Sequence, residues 1–317
     1  MQGALIDVPG LRVGHASLGD TGVTAIVSHD PRGMVCAVDV RGGGPGTRET
    51  DLLAPHNTVE RVHAVMLAGG SAFGLAAADG AMSALEERGI GFPVLGEEAP
   101  GPRVPIVPAA VIFDLIVGDH NHRPQPVDGA AAIKAALDDD PDRSSGSVGA
   151  GCGATAGVLR GGYGQASVVV GEYTVAAGVV ANPVGNVIDE STGEFFGAPG
   201  EGKVDAVAFQ KLERPMPKLN TTIGVIATDA PLPVAQLQRL AMTGHDGLAR
   251  SVRPAHSPLD GDTLFSVSTA ENTTAVDVDL LSRLCQAAAD VVQFAIVDAV
   301  RSARADFGIT AWQEIAQ

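Results

Sequence analysis

Two short polar segments stand directly before apolar runs and carry side chains that could take part in catalysis. Asn220 and Thr221 follow a proline-containing stretch, and Asp260 and Asp262 lie on either side of Gly261. A threonine hydroxyl is a weak nucleophile, but it can attack a carbonyl carbon when a base lies beside it. Paired acids around a glycine are poorly explained as a surface turn alone, although Asp-Gly is also a common turn sequence. Both interpretations stay open for the second segment.

A second Asn-Thr-Thr at residues 272–274 serves as an internal control. It lies in a polar stretch before the last long apolar segment, where an asparagine or threonine is expected to cap a helix. The tripeptide alone therefore has little specificity, and its setting distinguishes the two copies. Thr221 opens an apolar strand, whereas Thr273 does not.

Two glycine-rich segments resemble turns more than nucleotide sites. Residues 69–74 read GGSAFG and residues 41–46 read RGGGPG. Neither has the GxGxxG spacing of a dinucleotide site or the GK[ST] ending of a P-loop. We expect the first to join a strand to a helix, with Ser71 as the N-cap. The glycines of the second could line a substrate channel.

Metal and serine-hydrolase motifs are missing from the sequence. The eight histidines lack metal-ligand spacing, and no GxSxG elbow is found. We therefore predict no metal and no other cofactor. His256 is a candidate only because it lies near the acidic pair.

Composition excludes several classes of partner. The net charge is −16, and an acidic surface repels nucleic-acid phosphates and anionic lipid. No apolar run is long enough to predict a transmembrane helix, and the N-terminus lacks the pattern of a signal peptide. The three cysteines are scattered and odd in number. They predict reduced thiols in a cytoplasmic protein.

The hydrophobic pattern predicts strands and helices segregated in blocks. Strands are expected over residues 11–17, 22–28, 34–42, 61–70, 106–115, 163–170, 173–189, 221–229 and 261–269. Helices are expected over residues 71–89, 128–139, 232–252 and 276–300. Such blocks favour an α/β fold of two sheets packed face to face with helices outside. A doubly wound sheet is the alternative architecture.

Six segments, in chain order, together resemble a known family. They read VPGLRVGHA, LAGGSAFGL, VGAGCGATAG, VANPVG, NTTIGVIAT and HSPLDGDTLFSV. These are similar to the signatures of the self-processing aminopeptidases, which include L-aminopeptidase/D-esterases, β-peptidyl aminopeptidases and nylon-oligomer endo-hydrolases. The resemblance runs over nearly the whole chain. It implies a four-layer αββα sandwich of the N-terminal-nucleophile type, formed by residues 1–317 as one domain.

The resemblance also implies that the chain cuts itself between Asn220 and Thr221. The products would be an α chain of residues 1–220 and a β chain of residues 221–317. Thr221 would be the nucleophile, and the family's acidic pair and oxyanion amide would be supplied by the residues Asp260, Asp262 and Asn182. A small amide or peptide substrate and a homo-oligomer, commonly a tetramer, are expected.

Two positions depart from the family pattern. Close relatives carry a lysine after the GATAG motif, where this chain has Val158, and Arg160 follows two residues later. Relatives often carry a tyrosine hydroxyl near the oxyanion, at the position that Phe113 occupies here. These changes affect the expected substrate range and the rate of cleavage.

Cleavage would create a base on the nucleophile itself. The new α-amino group of Thr221 would titrate near an unperturbed pKa of about 7.7–8.0. The segment of residues 214–219 is expected to be mobile so that the new terminus can be exposed. Acyl transfer, as in ornithine acetyltransferases, and ligand binding by an uncut, non-catalytic protein are the alternative functions.

Overall fold

A computed structural model describes residues 2–96, 98–138, 141–213 and 220–317. The expectation of a mobile segment at residues 214–219 lies outside the described residues. The extended segments, in chain order, are β1 (Leu11–Ser17), β2 (Gly22–Ser28), β3 (Met34–Val40), β4 (Thr47–Arg48), β5 (Arg61–Val62), β6 (Ala64–Ala68), β7 (Phe92–Pro93), β8 (Arg103–Val104), β9 (Ala109–Val111), β10 (Thr155–Ala156), β11 (Leu159–Arg160), β12 (Gly162–Val170), β13 (Tyr173–Ala181), β14 (Glu194–Phe195), β15 (Ala198–Lys203), β16 (Ile223–Thr228) and β17 (Thr263–Ser268).

The helices fall between these strands in blocks, as the hydrophobic pattern predicts. The α-helices are α1 (Ala77–Glu86), α2 (Pro126–Asp138), α3 (Ala206–Phe209), α4 (Val234–Ser251), α5 (Val278–Ser302) and α6 (Trp312–Ile315). Short 3₁₀ helices span Leu5–Asp7, Asp51–Leu53, Ser71–Ala76 and Gly149–Gly151.

Two large sheets form within the described residues. One has five strands in the order β1-β2-β6-β9-β4, and the other has six in the order β12-β13-β16-β17-β3-β5. β16 and β17 run parallel at the centre of the six-stranded sheet, while β13 and β3 flank them in the antiparallel direction. The order of the strands in each sheet differs from their order in the chain. In the six-stranded sheet, β3 and β5 from the first part of the sequence pair beside β17 from its last part.

The alternation of side chains along β16 defines the layers. Val225 joins an apolar cluster with Ile26 and Leu67 of the five-stranded sheet. Ile226, the next residue, points the other way and packs with Leu240 of α4. All six residues of β16 are buried because both faces of the sheet are covered.

The five-stranded sheet is covered in the same way on its outer face. Ala25 and Met66 from its strands pack with Ala81 of α1 and Ile133 of α2. The layers are therefore helix, sheet, sheet and helix. The predicted αββα sandwich is confirmed, and the doubly wound alternative is wrong.

Helix α5 is the most apolar helix expected from the sequence, and it packs on β12, β13 and α4. Helix α5 is also long and apolar enough to cross a membrane, with a mean hydropathy of 1.4 over a stretch of 18 residues. Half of that stretch is buried within the fold. Asp277 caps it by accepting a hydrogen bond from the Leu280 amide at 2.8 Å. The expectation that Asn272 or Thr273 caps this helix is therefore wrong.

The turn at residues 69–74 also differs from the prediction. Ser71 has a positive φ of 54° and makes no capping hydrogen bond, and the N-cap position belongs to Gly70 at φ 79°. The amide of Gly70 instead donates to the Asp114 carboxylate at 2.6 Å. Because a buried carboxylate holds the turn, the Ser71 side chain is free to face the cleft described below.

Candidate active site at the ends of four strands

The parallel register of β16 and β17 brings the two polar segments together. Ile223 lies opposite Thr263, an offset of 40 residues. The same offset continues upstream, where Asn220 forms an isolated parallel bridge with Asp260. Thr221 must therefore face Gly261, at the centre of the acidic pair.

The Thr221 hydroxyl is held between two backbone groups. It donates to the Asn220 carbonyl oxygen at 2.5 Å and accepts a hydrogen bond from the Gly261 amide at 3.1 Å. The Thr221 amide donates to the Asn182 carbonyl at 2.7 Å, because β13 runs antiparallel beside β16. The side chain of this residue is thus fixed against the peptide bond that precedes it.

Asp262 ties the residue after Thr221 to the loop before β17. Its Oδ1 accepts the Thr222 amide at 2.8 Å, and its Oδ2 accepts the backbone amide of His256 at 3.1 Å. The His256 Nδ1 lies 2.8 Å from the same Oδ2, so the ring donates a third hydrogen bond. His256 adopts a positive φ of 53°. This carboxylate, 1 % exposed, is satisfied by three donors.

Asp260 fixes the end of β13. Its Oδ1 accepts the Val184 amide at 3.2 Å, and its Oδ2 accepts the Ser257 amide at 3.0 Å. Burial raises the pKa of the Asp260 carboxyl above its usual value, and the nearby Asp262 charge raises it further. Among the hydrogen bonds of the described residues, neither aspartate accepts a bond from Thr221, so both act on the surrounding backbone.

The Asn182 carboxamide has a defined orientation. Its Oδ1 accepts hydrogen bonds from the amide of Thr155 at 2.8 Å and from the Thr155 hydroxyl at 3.3 Å. Its Nδ2 donates to the Phe113 carbonyl at 3.1 Å. Since two donors fix the oxygen, the NH₂ group must point toward the end of the five-stranded sheet.

A cleft of about 250 Å³ opens beside Thr221. Its walls come from the end of β9, from the segments that precede β16 and β17, and from the glycine-rich segment at residues 41–46. The lining residues are Gly44, Pro45, Gly46, Ser71, Ala72, Val111, Ile112, Phe113, Asn220, Thr221 and Leu259. The expectation that residues 41–46 line a substrate channel agrees with this geometry, and Thr221, which is 5 % exposed, lies in the wall of the cleft.

Val158 and Arg160 do not line this cleft. Val158 contributes to a separate cavity of about 350 Å³ with Phe307. Arg160 is buried and donates through Nη2 to the Cys152 carbonyl. Burial lowers the pKa of its guanidinium. The structure thus brings together Thr221, both aspartates, Asn182 and Phe113, and leaves these two positions outside.

Two contributors to the site, the Gly261 amide and Thr155, were not identified from the sequence, and His256 was identified only as a candidate near the acidic pair. The Gly261 amide contacts the Thr221 hydroxyl, Thr155 orients Asn182, and His256 bonds Asp262. Signals for them existed, because Thr155 lies within GATAG and His256 begins HSPLDGD. Their roles, however, depend on which strands are neighbours.

Comparison with known proteins places this chain in a family. An uncharacterized aminopeptidase of Mycobacterium leprae is 46 % identical over 96 % of this chain and 92 % of its own length. A 6-aminohexanoate-oligomer endohydrolase of Paenarthrobacter ureafaciens is 32 % identical over 84 % of this chain and 74 % of its own length. The names of these relatives are those of hydrolases.

The fold comparison agrees. The solved structure of an L-aminopeptidase D-Ala-esterase/amidase from Ochrobactrum anthropi, described as a variant of the Ntn hydrolase fold, superposes with a TM-score of 0.73. It is 22 % identical and covers 98 % of this chain and 90 % of its own. The model of peptidase family S58 matches residues 3–311, nearly the whole chain. The chain therefore belongs to peptidase family S58 and has the Ntn hydrolase fold.

Proposed function

We propose that this protein is an amide hydrolase that cuts its own chain between Asn220 and Thr221 and then uses Thr221 as its N-terminal nucleophile. One observation carries the proposal. The Thr221 hydroxyl lies against the carbonyl group of the bond to be cut, 2.5 Å from its oxygen, and at the wall of an open cleft. Such proximity converts attack on the carbonyl into an intramolecular reaction.

Self-cleavage proceeds by an acyl shift from nitrogen to oxygen. The Thr221 Oγ attacks the Asn220 carbonyl carbon, the C–N bond breaks, and the proton of the hydroxyl ends on the Thr221 nitrogen. Water then hydrolyses the ester, which leaves a carboxylate on Asn220 and restores the Thr221 hydroxyl. The Gly261 amide, which donates a hydrogen bond to Oγ at 3.1 Å, holds this oxygen in position during both steps.

In turnover, the new α-amine of Thr221 removes the proton from Oγ as it attacks a substrate amide and later donates it to the leaving amine. Asn182 Nδ2 carries two N–H groups, and one of them is bonded to the Phe113 carbonyl. The other is the proposed oxyanion donor, worth about 3 kcal/mol. Asp260 and Asp262 hold the flanking backbone, and their charges raise the amine's pKa.

We infer that the substrates are small peptides or related amides, since the cleft has a volume of about 250 Å³. The names of the relatives, an aminopeptidase and an oligomer endohydrolase, support amide bonds as the target. A cytoplasmic location and assembly into a homotetramer belong to the same proposal. Light scattering after gel filtration tests the assembly.

Intact-mass spectrometry of the purified protein tests the proposal directly. The wild-type chain should yield two fragments in place of one species near 32.1 kDa. Thr221→Ala should stay whole and hydrolyse no aminoacyl amide, because it has no attacking oxygen. Thr221→Ser keeps that oxygen and should still split. A Thr221→Ala protein that splits contradicts the mechanism.

The same measurements separate the alternatives. An uncut wild-type chain without amidase activity indicates a binding protein on this scaffold. A split chain that passes an acyl group to added amines faster than to water indicates acyl transfer. The presence of the chain in a peptidase family favours hydrolysis over both.

A further inference from the structure

The side chain of Asn220 fills a defined place in the cleft wall. Its Nδ2 donates to the Pro183 carbonyl oxygen at 2.9 Å, and the residue is 8 % exposed. The same oxygen accepts the Gly157 amide at 3.2 Å. The backbone of Asn220 pairs with Asp260. The carboxamide is therefore recognised by a fixed hydrogen-bond acceptor.

Self-cleavage and turnover form the same kind of intermediate. In each, an acyl group is esterified to the Thr221 Oγ, which the Gly261 amide holds in position. In self-cleavage the acyl residue is Asn220, and in turnover it belongs to the substrate. Because the ester geometry around Oγ is the same, the two acyl residues occupy the same space.

We propose that the space filled by the Asn220 side chain becomes the subsite for the substrate's acyl residue, and that it selects neutral side chains with an N–H donor, asparagine-like carboxamides above all. This inference rests on the proposed function of Thr221. The Pro183 carbonyl, an acceptor that cannot rotate away, supplies the selection. With an aliphatic side chain at this place the Pro183 carbonyl keeps only the Gly157 amide as a donor and loses one of its two buried hydrogen bonds, which disfavours such side chains.

Charge around the subsite disfavours acidic residues more strongly. Asp260 accepts the amide of Val184, the residue next to Pro183, so its carboxylate lies beside the subsite. None of the described residues that line the cleft carries a charged side chain. An acidic acyl side chain would therefore meet a carbonyl oxygen and a carboxylate, with no cationic side chain among the described lining residues to compensate. The same repulsion acts on the new Asn220 carboxylate and helps the cut end to leave.

A substrate panel on the wild-type enzyme tests this selection. The probes are the p-nitroanilides of N-acetyl-asparagine, N-acetyl-aspartate and N-acetyl-leucine, which keep the acyl nitrogen blocked as it is in the uncut chain. We expect kcat/KM for the asparagine anilide to exceed that for the leucine anilide about tenfold, which is the effect of one hydrogen bond to a buried acceptor. The difference between the asparagine and aspartate anilides should be larger. Equal values for the three would overturn the subsite.

Variants at the cut site give an independent test. Asn220→Leu and Asn220→Asp should slow self-cleavage in the same order as the anilides, because one subsite serves both reactions. Asn272→Asp, in the exposed second Asn-Thr-Thr, is the matched control and should cleave at the wild-type rate. If the order of self-cleavage rates among the residue-220 variants does not match the order of kcat/KM among the anilides, the subsite proposal is contradicted.

The two proposals fail in different ways. A chain that stays whole and hydrolyses none of the anilides disproves the function of Thr221. If the chain splits normally but hydrolyses all three anilides at the same rate, the proposed function of Thr221 stands and only the subsite proposal is contradicted.

Discussion

Gly261 is the residue whose lack of a side chain matters most directly to the Thr221 hydroxyl. A Cβ at this position would lie 2.9 Å from the Thr221 Oγ and 2.9 Å from the Gly44 carbonyl oxygen. We therefore expect Gly261→Ala to displace the Thr221 hydroxyl and to slow the proposed self-cleavage at least a hundredfold, since small misplacements of reacting groups have such effects. A time course of fragment formation on denaturing gels measures the rate.

Gly44 provides the matched control for this substitution. It lines the same cleft, but an added Cβ would meet its nearest atom only at 3.7 Å, an ordinary van der Waals contact. Gly44→Ala should cleave within about threefold of wild type. If Gly261→Ala cleaves equally fast, the Gly261 amide does not aim the hydroxyl.

His256 is a positioning residue, because it acts on Thr221 only through Asp262. The His256→Ala variant loses the ring donor to Asp262 and places alanine at a positive φ of 53°. A hydrogen bond to a charged group is worth about 1.5–3 kcal/mol, so self-cleavage should slow roughly 10- to 150-fold.

The conservative variant at the same position separates positioning from folding. His256→Asn keeps an N–H donor, and asparagine tolerates a positive φ. It should recover most of the cleavage rate. If the alanine and asparagine variants cleave alike while both remain folded by circular dichroism, the ring's hydrogen bond has no part in positioning Asp262.

At the level of single residues, the sequence singled out candidate residues that directly precede strands. It did not predict the surroundings of residues whose contacts come from distant parts of the chain. Thr221 and Asp262 could be singled out because each precedes an apolar run. Arg160, two residues beyond the position of the family's lysine, lies outside the cleft, with its guanidinium buried against the Cys152 carbonyl. Ser71 was expected to cap a helix, and it lines the cleft instead.

The contact between α4 and α5 depends on a glycine within a helix. A Cβ on Gly247 would overlap the Ala289 carbonyl oxygen of α5. Alanine normally stabilises a helix interior by about 1 kcal/mol relative to glycine. Here the overlap should reverse the sign, with a loss of about 1–3 kcal/mol in the free energy of unfolding from overpacking. Guanidinium unfolding measures the change.

The neighbouring residue supplies the control for α4. Asp246 is exposed on the same helix, and Asp246→Ala should change the free energy of unfolding by no more than about 0.5 kcal/mol. A Gly247→Ala protein more stable than wild type would show that the helices can separate without cost.

The positions of the elements were largely predictable, whereas their neighbours were not. Apolar runs identified β1 and β2 with their observed bounds, and helical spacing identified α4. Nothing in a single sequence states that β16 pairs with β17 in parallel or that β3 lies beyond β17. The offset of 40 residues that sets Thr221 against Gly261 follows only from that pairing.

The stability of the whole molecule should depend on pH through buried neutral histidines. The His63 Nδ1 accepts the Ile106 amide at 3.0 Å, so the ring must be neutral. Burial lowers the pKa of His63 from 6.5 to about 4. Between these values the unfolded chain binds more protons, so the free energy of unfolding falls as pH decreases from 6.5 to 4. The loss from this residue is on the order of 3 kcal/mol.

Other groups contribute to the same curve, so a variant must isolate His63. Burial also lowers the pKa of His15 to about 4, which adds to the loss, whereas burial raises the pKa of Asp114 to about 6, which opposes it. Gln at position 63 can accept the same amide without titrating. His63→Gln should therefore show a flatter dependence of thermal midpoint on pH than wild type, and an unchanged slope contradicts the assignment.

The two chains expected from self-cleavage should stay together, because the cut crosses the core rather than a boundary. β16 would belong to the β chain, yet it pairs with β13 of the α chain on one side. β17 likewise pairs with β3, and α5 packs on β12. Separation would expose both apolar faces of the six-stranded sheet, which the free energy of a single broken peptide bond cannot offset.

Gel filtration of the split protein in native buffer should therefore give one peak that contains both chains in equal amounts, and denaturant should be needed to separate them. Residues 221–317 expressed alone would carry β16, β17, α4 and α5 without β13 or β3 beside them. With both edges of this strand pair open and one apolar face uncovered, that fragment should aggregate. If the cut protein instead gave two separate peaks, each containing one folded chain, the two chains would be independent folding units. The shared six-stranded sheet would then not hold the two chains together.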